Sequence, residues 1–136
     1  MSWHEARENP TLTLPTIIRD APYIDVERDN DGRIRRVRQA REGEIERARG
    51  ENDCGLFCFT TSILFAELRH ATRSTHGLGR STGEINLLQI LPSFEQGAGS
   101  VGTLRIKDVS ETLGVNTRRD ALDAERVLSD RAAHSN

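Results

Sequence analysis

Three short stretches carry residue types that can do chemistry. The first is Gly114-Val115-Asn116-Thr117-Arg118, a tight turn entering a helical pattern. An Asn at a helix start can present its side-chain carbonyl to a metal or a phosphate, beside backbone N–H groups that already favour anions. The second is Glu51-Asn52-Asp53-Cys54-Gly55, at the entrance of an apolar run. Acidic and amide groups there can hold the hydroxyls of a polyol, with Asp53 the first candidate. The third is Thr82-Gly83-Glu84-Ile85-Asn86, where a carboxylate behind a glycine can accept two hydroxyls at once. Each stretch also has a plainer reading. Asn116 or Thr117 can cap a helix. Residues 51–55 can be a polar loop meeting a strand. Thr82 can be an N-cap, with Glu84 at the positive end of the helix dipole.

Other chemistries find little support. His4, His70, His76 and His134 are scattered without ligand spacing, and no Ser/His/Asp arrangement can be placed. Neither Gly-x-x-x-x-Gly-Lys nor Gly-x-Gly-x-x-Gly occurs. Arg33, Arg35, Arg36, Arg38 and Arg41 could face phosphate, but such a run reads more simply as a solvated hairpin face. The net charge is −2, from 19 basic and 21 acidic side chains, so neither nucleic acid nor an anionic membrane is an expected partner. Apolar runs fall far short of the roughly 20 residues that span a bilayer. The polar N-terminal ten residues do not resemble a secretory signal. Cys54 and Cys58 lack a second ligand pair for zinc and are expected as free, buried thiols of a cytoplasmic protein.

The elements that must position these residues alternate between extended and helical patterns. With 136 residues, 35% hydrophobic and 29% charged, the chain suits one domain with a modest core. Residues 11–18 are β-branched, and Pro15 suggests an edge or irregular strand. Residues 23–27 and 33–38, joined by Asp29-Asn30-Asp31-Gly32, predict a β-hairpin, short and charged enough for an exposed ribbon. Residues 41–51 read as a solvated loop or short helix. The apolar run 54–59 is the expected buried central strand. A helix is expected over residues 63–72, with Leu64, Phe65 and Leu68 as its apolar face. A second is expected over 83–96, kinked at Pro92. A turn at 97–100, a strand over 101–106, a helical turn over 108–113 and a helix over 117–132 follow. The fold class is α/β with a mixed sheet, a hairpin and flanking helices.

Taken in order, these segments resemble the C-terminal, sugar-binding half of the sugar-phosphate nucleotidyltransferase domain, over residues 11–128. Asp31-Gly32-Arg33-Ile34 is similar to the family's D-G-R-I turn, and Glu51 to Phe59 to its E-I-N-T-G-I strand. Gly83-Glu84 resembles its Q-G-E-Y-Y segment, and Glu111 to Glu125 resembles E-x-x-G-V-N-x-R-x-x-L-x-x-A-E. The resemblance implies a partial Rossmann-like fold in which Asp53, Gly83 and Glu84 contact a sugar and Asn116 helps bind Mg2+. Departures from the family pattern bear on sugar specificity. Asp53 stands where the family has Asn, Gln39 where it has Glu, Ile24 where it has Gly, and Ile85-Asn86 where it has an aromatic pair.

The resemblance further implies a sugar 1-phosphate and an NTP as substrates of a completed domain, giving an NDP-sugar and pyrophosphate. The family's Gly-rich loop and its magnesium-binding Asp are not among these residues. The chain alone is therefore expected to lack transfer activity, since a neutral amide is a weak partner for a dication. The alternative expectation is a stand-alone sugar or sugar-phosphate binder, or a self-associating non-catalytic half-domain. The expected layout is a polar N-terminal segment at 1–10 (a possible helix remnant), the half-domain at 11–132 and a frayed tail at 133–136. A homo-oligomer or a partner chain is expected to cover its apolar surface.

Overall fold

The computed structural model describes residues 10–73, 78–79, 81–95 and 100–134. It divides into two compact units, one ending at Arg105 and the other starting at Ile106. The expected helix remnant at 1–9 and the turn at 97–99 lie outside the described residues.

The first unit is built on β1 (Leu12–Asp20), whose Leu12, Leu14 and Thr16 are completely buried. Thr13 and Ile17, on its other face, are buried too. A strand covered on both faces is a central strand, so Pro15 does not mark an edge. β4 (Arg49–Asp53) pairs antiparallel with its C-terminal half, from Thr16 opposite Asp53 to Asp20 opposite Arg49. β5 (Cys58–Phe59) pairs antiparallel with Leu12 and Thr13. β6 (Val101–Arg105) runs parallel to β1, from Leu12 opposite Val101 to Thr16 opposite Arg105. Because Leu12 and Thr16 each pair with β6 on one edge, β4 and β5 must share the other. The gap between β4 and β5 lies opposite Pro15, which has no N–H to give to a ladder. Pro15 still accepts a hydrogen bond from the Cys54 N–H at 3.1 Å.

That gap overturns the expected buried strand over 54–59. Gly55 sits at φ +70°, Leu56 is 68% exposed, and the chain rejoins the sheet only at Cys58. Such a φ breaks extended structure and favours glycine. Cys58 is exposed and Cys54 half-buried, so the thiols are free but not buried as expected.

The hairpin forms as expected from β2 (Ile24–Arg28) and β3 (Ile34–Gln39), with Val26 opposite Val37. It is not an exposed ribbon. Ile24, Val26, Ile34 and Val37 are buried and join Leu12, Leu14, Leu91 and Phe94 in one core. α1 (Thr61–Arg73) packs Ile63, Leu64 and Leu68 against that core and leaves Phe65 53% exposed, so Phe65 is not part of its apolar face. The expected helix from Gly83 is instead a turn followed by a 3-10 helix over Leu87–Glu95 that contains Pro92. Phe94 fills the core, its ring 5.3 Å from that of Phe59.

The second unit holds a 3-10 turn (Val109–Thr112), capped when Asp108 Oδ1 accepts from the Ser110 N–H at 2.9 Å, and α2 (Arg118–His134). Both match the expected helical turn and helix. The fold is mixed α/β, with parallel and antiparallel pairing in one sheet.

Candidate functional site

The three acidic and amide side chains at the end of β4 have separate tasks. Glu51 is clamped by Arg28, whose Nη2 and Nε donate to its two oxygens at 2.7 and 2.9 Å; Arg105 lies 3.6 Å away. Burial alone would push the Glu51 carboxyl up, but these guanidinium groups outweigh it and hold it below the usual carboxylate range. Asn52, 1% exposed, accepts from the Tyr23 and Ile24 N–H groups at 3.2 and 3.1 Å. It ties the start of the hairpin to the sheet. Asp53 uses Oδ2 to accept from the Gly55 N–H at 2.8 Å. Its Oδ1 is buried and has no hydrogen-bond partner among the described residues. Burial pushes the Asp53 carboxyl up, and burial together with the Asp53 charge pushes the neighbouring Cys54 thiol up.

Asp53 lines a cavity of about 380 Å³ together with Tyr23, Ile24, Gln39, Arg41, Gly55, Asn86 and Leu88. Gln39 is 1% exposed at the end of β3. Its Oε1 accepts from Asn86 Nδ2 at 2.7 Å and from Arg41 Nε at 3.1 Å. A guanidinium Nε can only donate, which fixes the orientation of the Gln39 amide. Asn86 is fixed in turn, because its Oδ1 accepts from the Leu88 N–H at 3.0 Å. Gln39 Nε2 is thereby left buried without a partner among the described residues. Asp53 and Gln39 both line the cavity, and each keeps one polar atom that is buried and without a hydrogen-bond partner among the described residues.

Gly83 and Glu84 are not among the residues lining the cavity. Gly83 has φ +67°, and the Glu84 carboxylate is exposed, 3.9 Å from Arg41 Nη1. Neither sits at a helix start, which corrects that reading of Thr82 and Glu84. Thr82 instead donates its hydroxyl to Glu42 at 3.0 Å, and the Ser81 N–H donates to the same carboxylate at 2.6 Å. These bonds hold the Glu42 carboxyl below its usual range and fasten the loop that bears Glu84.

Asn116 belongs to the second unit. Its backbone N–H and that of Thr117 donate to Asp120 Oδ2 at 3.0 and 2.8 Å, and the Asp120 N–H donates to Thr117 Oγ1 at 3.2 Å. This is a reciprocal helix cap with Thr117 as the N-cap. The Asn116 side chain is exposed and available as one ligand. Its surroundings do not make a magnesium site on their own. The Asp120 carboxylate is taken up by the cap. No group of three or more His, Cys, Asp or Glu side chains among the described residues could hold a metal.

The hairpin arginines are largely matched by acids, as a solvated face requires. Arg38 meets Glu27 at 2.7 Å, Arg36 meets Glu44 at 3.0 Å and Arg41 lies 3.9 Å from Glu42. No described helix is long and apolar enough to cross a membrane. The sequence reading met Gln39 and Asn86 only as departures from the family pattern and Arg41 only in the hairpin cluster, and it did not join the three. The signal available was an amide at the end of one predicted strand and another just ahead of an apolar stripe.

No protein-family model matches the chain. Curated relatives do. The chain is 30% identical over 96% of its length to the bifunctional protein GlmU of Lactobacillus delbrueckii subsp. bulgaricus. It is 28% identical over 94% to that of Geobacillus thermodenitrificans and 31% identical over 88% to that of Heliobacterium modesticaldum. It spans about 28% of the length of the first of these. Nearly all of the chain is thus similar to a portion of bifunctional GlmU proteins, in keeping with the sugar-phosphate nucleotidyltransferase resemblance of its motifs.

Proposed function

We propose that this chain is the sugar-binding portion of a sugar-phosphate nucleotidyltransferase. In the completed domain, the phosphate of a sugar 1-phosphate attacks the α-phosphate of an NTP in line, and pyrophosphate leaves. Asp53 and Gln39 hold the sugar ring in the cavity, Gly83 lets the rim loop approach it, and Glu84 accepts hydroxyls at the mouth. Asn116 serves as one neutral ligand of a Mg2+ ion whose carboxylates come from a nucleotide-binding portion, in the same polypeptide or in another. The observation that carries this reading is the polar cavity itself. Asp53, which the family resemblance aligns with a sugar-contacting Asn, lines it together with Gln39 and Asn86.

Titration calorimetry with a panel of sugar 1-phosphates tests it. Binding that Asp53→Ala weakens at least tenfold is the expected outcome, in line with loss of a charge-assisted hydrogen bond. Absence of heat with every member of the panel sinks the reading. A second arm mixes the chain with the nucleotide-binding portion of a GlmU relative and follows pyrophosphate release.

A second reading, a self-associating half-domain, draws on exposed apolar side chains. Leu56 is 68% exposed and Leu128 65%. Such groups invite burial against another surface.

A further inference from the structure

Cys54 and Cys58 lie on either side of the break in the sheet. Cys54 stands opposite Pro15, whose carbonyl accepts from its N–H at 3.1 Å, and Cys58 stands opposite Thr13. Thr13 and Pro15 are two positions apart on β1, so their side chains share one face, and the residues opposite them share it too. The neighbours agree with this placement. Asp53, opposite Thr16, and Phe59, opposite Leu12, belong to the face that bears the core, so alternation sends both cysteines to the other face. A rise of about 3.3 Å per residue sets their Cα atoms about 6.6 Å apart, inside the roughly 4.4–6.8 Å that disulfides span. Between them Gly55, Leu56 and Phe57 occupy the space of one strand residue. Gly55 turns outward at φ +70°, Leu56 is exposed, and Phe57 returns to stack on Phe59 at 6.0 Å. That slack lets the two thiols approach while β4 and β5 keep their pairing with β1. The thiols also differ in reach. Cys58 is exposed, whereas Cys54 is half-buried and its thiol is pushed up by burial and by the Asp53 charge. A soluble oxidant therefore meets Cys58 first.

We propose that Cys54 and Cys58 are a redox-responsive pair that a peroxide closes into an intramolecular disulfide across the base of this bulge. The Cys58 thiolate attacks one peroxide oxygen, the O–O bond breaks, and hydroxide leaves, which makes a sulfenic acid at Cys58. The Cys54 sulfur then attacks the Cys58 sulfur, and the sulfenic hydroxyl departs as water with the Cys54 proton. The sum turns two thiols and hydrogen peroxide into one disulfide and two waters. Asp53 and Gly55 flank Cys54, and both line the cavity, so the bridge holds that part of its wall in one position. A bridge at the wide end of the allowed span is strained and readily reduced, which makes the step reversible by a dithiol. The pair stands on the sheet register and does not depend on the sugar-phosphate reading.

The test treats the full chain with hydrogen peroxide, then maps its peptides without reduction and counts its thiols. The expected result is a Cys54–Cys58 link within one chain, formed at a rate independent of protein concentration, with both thiols restored by dithiothreitol. Limited chymotrypsin digestion at Leu56 and Phe57 is expected to slow roughly tenfold in the oxidised form, because the bulge can no longer open. Cys54→Ser is expected to hold Cys58 as a sulfenic acid that dimedone traps. Thiols that survive the treatment, a link between two chains, or a Cys58 sulfinate beside a reduced Cys54 each overturn the proposal. Equal digestion rates in the two forms overturn the stiffening of the wall. The wild-type peptide map decides the matter even if the variant is unstable.

Discussion

At the scale of single residues, neighbours on one strand end do opposite jobs. Glu51 and Asp53 are both carboxylates on β4 and both buried, yet Glu51 has its guanidinium partners and Asp53 has none. Glu51→Ala should cost about 3 kcal/mol in urea denaturation, because it takes from Arg28 its two-pronged carboxylate partner and leaves it hydrogen bonds to Thr103 and the Gly32 carbonyl. The two groups should also pull stability in opposite directions with pH. The depressed Glu51 carboxyl contributes stability above the ordinary carboxylate range and loses it as pH falls through its own lower value. The raised Asp53 carboxyl does the reverse, because the folded state holds that proton more tightly than the unfolded one. Stability is therefore lost as pH rises through the Asp53 value. Asp53→Asn should be more stable than the wild type at neutral pH, and the gap should close in acid. Denaturation midpoints across that range read the difference, and a constant gap would contradict this assignment.

At the scale of elements, the sheet depends on close approach at Gly50. A Cβ there would run into the Asp25 carboxylate, which is 1% exposed and accepts from the Glu51 N–H at 3.2 Å. Gly50→Ala should destabilise the protein by about 1–3 kcal/mol as a packing clash against a buried group. A change in denaturation midpoint without a change in slope would identify it as such. Elements with strong local signals were legible in the sequence. The Asp29-Asn30-Asp31-Gly32 turn announces its hairpin, and Thr117 with Asp120 marks the start of α2. The exchange of roles between β1 and the 54–59 run was not legible. A proline suggested an edge, and a row of apolar residues suggested a centre. Which strand is central depends on pairing across the sheet, including β6, whose partner lies some 90 positions away in sequence. The site was legible in part for the same reason. Asp53 stood out by its place before an apolar run. Gln39 and Asn86 meet only because the hairpin and the 3-10 segment pack together, 47 positions apart.

At the scale of the whole molecule, the core is small for the chain that surrounds it. Its largest fully buried apolar side chains are Phe94, Leu12, Leu14 and Leu91, while Leu56, Val115, Phe65 and Leu128 are each more than half exposed. No residue of α2 is buried. We expect the chain to associate with itself or with a partner through such side chains. Sedimentation over a range of concentrations should show a mass that rises with concentration, and Leu128→Glu or Leu56→Glu should lower it. A monomer at every concentration would count against this expectation.

The break in the sheet opposite Pro15 has a consequence for change over time. β4 ends at Asp53, so the backbone there is pinned by its pairing with Thr16 while its side chain faces the cavity. Replacing that side chain changes one wall of the cavity without disturbing a single ladder bond. A scaffold arranged in this way can reshape that wall in a single step, and it offers the same freedom to deliberate redesign.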